Sequence, residues 1–257
     1  MRTFRNQQAP RPKKSSLIIG RRNVLDAIRE GMQLERIYIQ NTVYGELIED
    51  IRQEAFQKQV PVNKVPVEKL NGFNIENHEG CVALVAKIQY QDLQMIIDWV
   101  VEKGEVPLFL ILDSITDIRN IGGIARTAFC CGVHGIIIPD KGVGTLNEEA
   151  ILTSAGALEK IPVCRVNSLM KTVDDLHLNG ISVYASEKKA EKSIVDIDLT
   201  GPSAIIVGSE DKGIFPALSK ICDEQVRIPM KGDFDSLNVS VATGMILYEV
   251  GRQRTER

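Results

Sequence analysis

Residues 108–112 in the second half of the chain are continuously apolar, and 135–138, 162–166, 181–185, 204–207 and 225–228 repeat the theme, the last with two polar residues among its four. Segments with helical spacing fill most of the gaps between them. A strand with one wet face alternates apolar and polar residues, whereas a strand covered on both faces does not need to. The pattern therefore predicts an α/β domain built on a mostly parallel sheet, with helices on both sides. In such sheets ligands bind outside the carboxyl ends of the strands.

The first half is patterned differently. Between about 16 and 90 the elements are short: a helix over 24–30 with Asn23 as its cap and Gly31 as its stop, and a strand over 36–40. A helix over 46–59 follows with Leu47, Ile48, Ile51 and Ala55 on one face, then an edge-like strand at 60–62 and a buried strand over 81–88. This reads as a small α/β unit without a catalytic constellation. A helix over 93–103, with Met95, Ile96, Trp99 and Val100 at helical spacing, reads as a linker, and 104–107 marks the boundary. The expected organisation is a flexible arm at 1–15, a small domain at 16–90, a linker at 91–106 and a larger domain at 107–257.

Composition narrows the class. At 257 residues with ordinary apolar content the chain can bury one large core or two modest ones. No apolar run approaches the roughly 20 residues that span a bilayer. Residues 1–22 lack the apolar centre of a signal peptide, so a cytoplasmic location is expected. The five cysteines never form C-x-x-C, and most sit inside apolar runs, which argues against structural zinc and a disulfide framework. A net charge of −3 opposes indiscriminate coating of nucleic acid. Charge distribution changes that picture: Arg2, Arg5, Arg11, Lys13, Lys14, Arg21 and Arg22 precede the first acid, Asp26, and read as a basic arm that either solubilises the chain or touches RNA phosphate.

Three loops share one grammar of strand end, small or polar residues, and helix start. In the first, Asn120 can cap a helix whose Ile121, Ile124, Ala125, Ala128 and Phe129 form one stripe, with Arg126 off it. Gly122 and Gly123 weaken that helix, which is tolerable if backbone must approach a ligand or another segment closely. The second is Gly208-Ser209-Glu210-Asp211-Lys212-Gly213, in which a carboxylate would need partners if buried. The third places Ser236 and Asn238 before a last helix that carries Val239, Val241, Ala242, Met245, Ile246, Leu247 and Val250 around most of its circumference. Such a helix is expected to be buried on nearly all sides. G-x-G-x-x-G and the phosphate-binding G-x-x-x-x-G-K-[ST] are both absent. His78, His134 and His177 are scattered, so neither a metal cluster nor a Ser-His-Asp triad arises from local spacing.

The three loops, in this order, resemble the motifs of the SpoU (TrmH) class of the SPOUT superfamily, the RNA ribose 2'-O-methyltransferases. Residues 117–128, 207–213 and 228–242 are similar to its first, second and third motifs. Gly20 with its helix, and His78-Glu79-Gly80 leading into a strand, resemble the small ribosomal-protein-like (L30e-like) substrate-binding domain of the bacterial ribosomal-RNA branch. Ile118 departs from the family's usual proline, without removing a polar group.

The resemblance implies a carboxyl-terminal trefoil knot, a homodimer, and S-adenosylmethionine (AdoMet) bound within the knot mainly through backbone. By position it places cofactor contacts at Gly208, Ile228 and Leu237, with Met230 as a neighbour. Asn120, Arg126, Glu210, Ser236 and Asn238 match the family's functional polar positions. No metal and no membrane partner is expected, on the composition and spacing already given. The expected substrate is a guanosine of 23S ribosomal RNA, with transfer RNA as the nearest rival and a non-catalytic RNA-binding or assembly factor as a third reading.

Overall fold

The computed structural model describes residues 16–75, 77–232 and 236–255, and the basic arm at 1–15 lies outside the described residues. The chain divides into two units between Ala86 and Lys87. The first contains β1 (Leu17–Ile19), α1 (Arg21–Arg29), β2 (Leu34–Gln40), α2 (Glu46–Gln57), β3 (Val62–Val65), α3 (Val67–Asn71) and β4 (Cys81–Val85). Its sheet has the order β1-β4-β2-β3, with β3 parallel to β2 and both contacts of β4 antiparallel. Ile37 and Ile39 of β2 pack with Ile48, Ile51 and Ala55 of α2 and Val24, Leu25 and Ile28 of α1 in one core.

Two local expectations fail here. Asn23 is not the cap of α1: the helix starts at Arg21, Gly20 holds the cap position at φ +91°, and Asn23 Nδ2 donates back to the Ile19 carbonyl at 2.8 Å. Leu47 is exposed, so the buried stripe of α2 is narrower than its apolar residues suggest.

The second unit begins with α4 (Leu93–Glu102) and β5 (Leu108–Asp113), followed by α5 (Ile118–Cys130), β6 (Gly135–Pro139) and α6 (Glu148–Thr153). Next come β7 (Val163–Val166), α7 (Leu169–Leu178), β8 (Ser182–Ser186) and β9 (Lys192–Ser193). The last elements are β10 (Ser203–Gly208), α8 (Pro216–Lys220), β11 (Glu224–Arg227) and α9 (Val239–Thr255). Among the described residues seven strands form a sheet in the order β7-β6-β5-β10-β8-β11-β9, and every neighbouring pair is parallel.

Strand β5 explains the continuous apolar runs. Leu108, Leu110 and Leu112 enter a core with α5 and α9, while Phe109 and Ile111 enter a second core with α4 and α7. Both faces are covered, so neither set of alternate side chains meets water. Helix α4, expected as a linker, buries Ile96, Ile97 and Val100 in that second core. Its Met95 and Trp99 face solvent instead, with Lys103 Nζ 3.5 Å from the Trp99 ring centre.

The end of α9 is fastened by Arg254. Its guanidinium donates to the carbonyls of Val106, Pro107, Leu199 and Gly201 at 2.7 to 3.1 Å. The planar fork satisfies several backbone acceptors at once, a geometry a lysine cannot reproduce. Helix α9 is not buried on nearly all sides within the single chain. Val239, Thr243, Ile246, Leu247 and Val250 face the core, whereas Val241, Met245 and Tyr248 are 52%, 45% and 71% exposed.

Candidate active site

The loops after β5, β10 and β11 leave the same edge of the sheet. Asp113 and Gly208, the last residues of β5 and β10, stand opposite each other in register. A cavity of about 490 Å³ opens there, a size suited to a cofactor, since small-molecule sites run roughly 300–1,000 Å³. Its walls include Gly208, Glu210, Ile228, Met230, Ser236 and Leu237. These come from the second and third loops, whose sequence separation gives no hint of distance.

Asn120 was expected to cap α5, but the helix begins earlier. Asp117 is the cap, and its carboxylate accepts the Arg119 amide at 2.9 Å. The Arg119 side chain also bonds Asp117, and chiefly for that reason its carboxyl is held below the usual aspartate range. Asn120 therefore sits in the first helical turn with its side chain free to cross to the second loop. Its Nδ2 donates to Glu210 Oε1 at 3.0 Å.

The same carboxylate oxygen accepts Asn238 Nδ2 at 2.6 Å and the Val239 amide at 3.3 Å. Asn238 Nδ2 also donates to Asn120 Oδ1 at 3.0 Å. Asn238 Oδ1, in turn, accepts from the Ser240 amide at 3.0 Å and the Val241 amide at 3.4 Å, capping α9. One network thus ties all three loops together, and an anionic acceptor makes its bonds stronger than neutral ones.

The glycines of the first and second loops have distinct reasons. A Cβ on Gly122 would lie 2.1 Å from Thr153 Oγ1, so the close approach is to α6 rather than to a ligand. A Cβ on Gly208 would lie 2.2 Å from the Gly213 carbonyl carbon, so only glycine lets the second loop fold back on its own strand. Gly213 supplies the return at φ +67°, and its amide donates to the Ser209 carbonyl at 2.8 Å.

Arg126 lies on the exposed side of α5 and makes no hydrogen bond or ion pair with the described residues. Phe129, expected on the buried stripe, is 45% exposed. Each histidine is occupied elsewhere: His78 with Asn71 and the Gly80 amide, His134 with Glu105 and the Leu108 amide, His177 with Asp223. Burial pushes the thiols of Cys81, Cys164 and Cys222 up to about 12, too high for nucleophiles near neutral pH. Among the described residues no group of side chains could hold a metal ion, and no helix is long and apolar enough to cross a membrane.

Sequence reasoning overlooked the end of β8 and the segment after it, where Ser186, Glu187, Lys188 and Lys189 form another wall of the cavity. Its signal was available: a charged run directly after the apolar strand 181–185, at another strand carboxyl end. It also overlooked the buried carboxylate of Asp113.

A model of the SpoU rRNA Methylase family matches residues 107–248. The chain belongs to this family. A second model, for the substrate-binding domain of RNA 2'-O ribose methyltransferases, matches residues 17–91. A Bacillus subtilis (strain 168) protein assigned to the TrmH family of tRNA/rRNA methyltransferases is 35% identical over 238 residues, which is 92% of this chain and 95% of that one. A Staphylococcus aureus protein assigned likewise is 36% identical, over 94% of this chain and 97% of its own. The crystal structure of the SpoU methyltransferase AviRb from Streptomyces viridochromogenes in complex with AdoMet superposes with a TM-score of 0.59 and 26% identity, covering 94% of this chain and 91% of that chain. The structure of the A. aeolicus TrmH/SpoU tRNA modifying enzyme gives a TM-score of 0.53 and 28% identity, over 64% of this chain and 85% of that one.

This SpoU chain is therefore an RNA methyltransferase that uses AdoMet. The residues fit the cofactor. The cavity combines apolar walls from Ile228, Met230 and Leu237 with the backbone of the tightly folded 208–213 loop.

Proposed function

We propose that the protein methylates the 2'-hydroxyl of a guanosine in 23S ribosomal RNA, working in the cytoplasm as a homodimer. The observation that carries the reaction type is the Glu210-centred network, which joins the three motif loops at the wall of the cofactor cavity. The bound cofactor supplies an electrophilic methyl group on a sulfonium. The chain's own task is to hold the ribose oxygen in line with it, and positioning of this kind can account for a large part of the acceleration.

Arg126, exposed on α5 and without a partner among the described residues, is assigned the role of acting on RNA. A guanidinium stays protonated at neutral pH and has no lone pair to offer, so Arg126 is not the base. It grips the neighbouring phosphate or stabilises the developing alkoxide, and a phosphate oxygen or water takes the proton. Asn120, Glu210 and Asn238 set the geometry of the loops, and Ser236, on the cavity wall, contacts substrate or cofactor. Gly208, Ile228, Met230 and Leu237 hold the cofactor.

Ribosomal RNA is favoured over transfer RNA because the substrate-binding unit precedes the catalytic one, whereas the tRNA modifying enzyme of A. aeolicus aligns over 64% of this chain. The exposed Val241, Met245 and Tyr248 recur at i, i+4 and i+7 along α9 and would form the subunit contact. The trefoil knot belongs to the same reading, with the segment after β11 drawn beneath the second loop.

Transfer of tritium from labelled AdoMet to separated ribosomal and transfer RNA tests the substrate. Label in 23S RNA at a guanosine whose 3' phosphodiester resists alkali is the expected result. Label in transfer RNA alone would replace it with the rival, and no transfer to any RNA would leave a binding or assembly role.

A further inference from the structure

We propose that Asp113 is a positioning residue that anchors the first and second motif loops to one point of the sheet and thereby sets the shape of the cofactor cavity. The proposal rests on the AdoMet assignment but reaches a residue outside the three motif loops. Asp113 ends β5, an interior strand between β6 and β10, and is only 6% exposed. A carboxylate at that depth normally requires a cation or several donors. No ion pair reaches it among the described residues, and both its oxygens are used by the two loops.

Oδ2 accepts the Phe215 amide at 2.6 Å, across 102 residues of sequence. Phe215 closes the second loop and its ring is exposed, so the residue is held by its backbone and not by burial of its side chain. Oδ1 accepts the hydroxyl of Ser114 at 2.9 Å. Ser114 opens the first loop and has φ +59°, a left-handed conformation that a serine adopts only when its surroundings impose it.

The first loop therefore departs from Asp113, and the second returns to it. Between these fixed ends the loops meet again at their working residues, through Asn120 and Glu210. The Gly208–Gly213 wall of the cavity is the part of the second loop lying between its strand and the Phe215 anchor. Loss of the anchor leaves the fold of the sheet intact, because Asp113 is only the last residue of β5. It frees the wall and the carboxylate that organises Asn120 and Asn238.

The test uses the full chain and the product S-adenosylhomocysteine, whose binding is measured by calorimetry without any RNA. Asp113→Ala is expected to weaken that binding by about tenfold, in line with the loss of charged hydrogen bonds, and to speed amide exchange at Phe215 and across 209–214. Asp113→Asn keeps an acceptor for the Phe215 amide and is expected to recover most of both properties. Phe215→Pro deletes the donor without touching Asp113, at a residue whose φ of −56° and ψ of 125° suit proline before Pro216. It is expected to reproduce the binding loss, and it provides the decisive arm if Asp113→Ala does not fold. Parent-like affinity and parent-like exchange over 209–214 in folded Asp113→Ala or Phe215→Pro would overturn the proposal. Failure of the parent chain to bind the ligand would count against the cofactor assignment instead, and the exchange measurements would still decide the anchor.

Discussion

Glu210 and Asn238 meet at 2.6 Å although 28 residues separate them, and the carboxylate oxygen in that bond also receives Asn120 from 90 residues upstream. Because Asn238 caps α9 with its other atom, a change at Glu210 is felt at the helix start as well as at the cavity. Asn238→Ala should lower turnover more than cofactor affinity, since Asn238 does not itself line the cavity and reaches it only through Glu210. Glu210→Gln keeps an acceptor for Asn120 and should retain the fold while losing part of the turnover. Single-turnover methylation beside calorimetric cofactor binding separates the two effects, and equal losses of both in Asn238→Ala would make that residue a pocket builder.

Arg126 offers the clearest chemical test, because it has no structural partner among the described residues. Arg126→Lys keeps the charge but not the planar fork that matches phosphate. The expected outcome is unchanged S-adenosylhomocysteine affinity and a loss of most turnover. Near-normal turnover in the variant would remove both roles given to the guanidinium.

Gly208→Ala should fail for a steric reason. The added carbon would lie 2.2 Å from backbone at Gly213, and backbone cannot rotate away as a side chain would. Overpacking of this kind costs about 1–3 kcal/mol, so a lowered melting temperature together with weakened cofactor binding is expected. A variant with parent-like melting and affinity would show that the second loop has room to move.

The exposed face of α9 gives a prediction about assembly. Met245→Glu combined with Tyr248→Glu places charge on the apolar stripe without reaching the core residues Ile246 and Leu247. Analytical ultracentrifugation should find the parent as a dimer and the double variant at half its mass. A monomeric parent would assign the stripe to some other partner.

Acid should loosen the start of α5 through Asp117. Its carboxyl titrates below the usual range, principally because of the Arg119 side-chain bond, so the folded state favours the ionised form. The sign follows: the contribution is complete above the ordinary aspartate value of about 3.9 and is lost as pH falls through the lower folded value. Carbon-13 chemical shifts of the Asp117 carboxyl against pH would locate that titration. A midpoint at or above the ordinary value would contradict the role given to Arg119.

The hydrophobic pattern determined most of the parallel sheet, because a strand covered on both faces can be apolar throughout: all six runs became strands, while the short β9 and the half-exposed β11 lie where that covering ends. Ordered short motifs determined the family, since each needs a particular small or polar residue at a strand end. The roles within those motifs were decided only by tertiary structure. Asn120 reads as a helix cap in sequence, and it became a network residue because Asp117 took the cap and Glu210 lay opposite. Gly122 reads equally as a ligand approach or a packing site, and the position of Thr153 settled which. Asp113 carries no local signal, because its partner amide lies 102 residues away. Helix α9 reads as buried all round, yet one chain buries only part of its circumference. Periodicity reports which residues prefer to leave water, and it does not report which surface removes them from it.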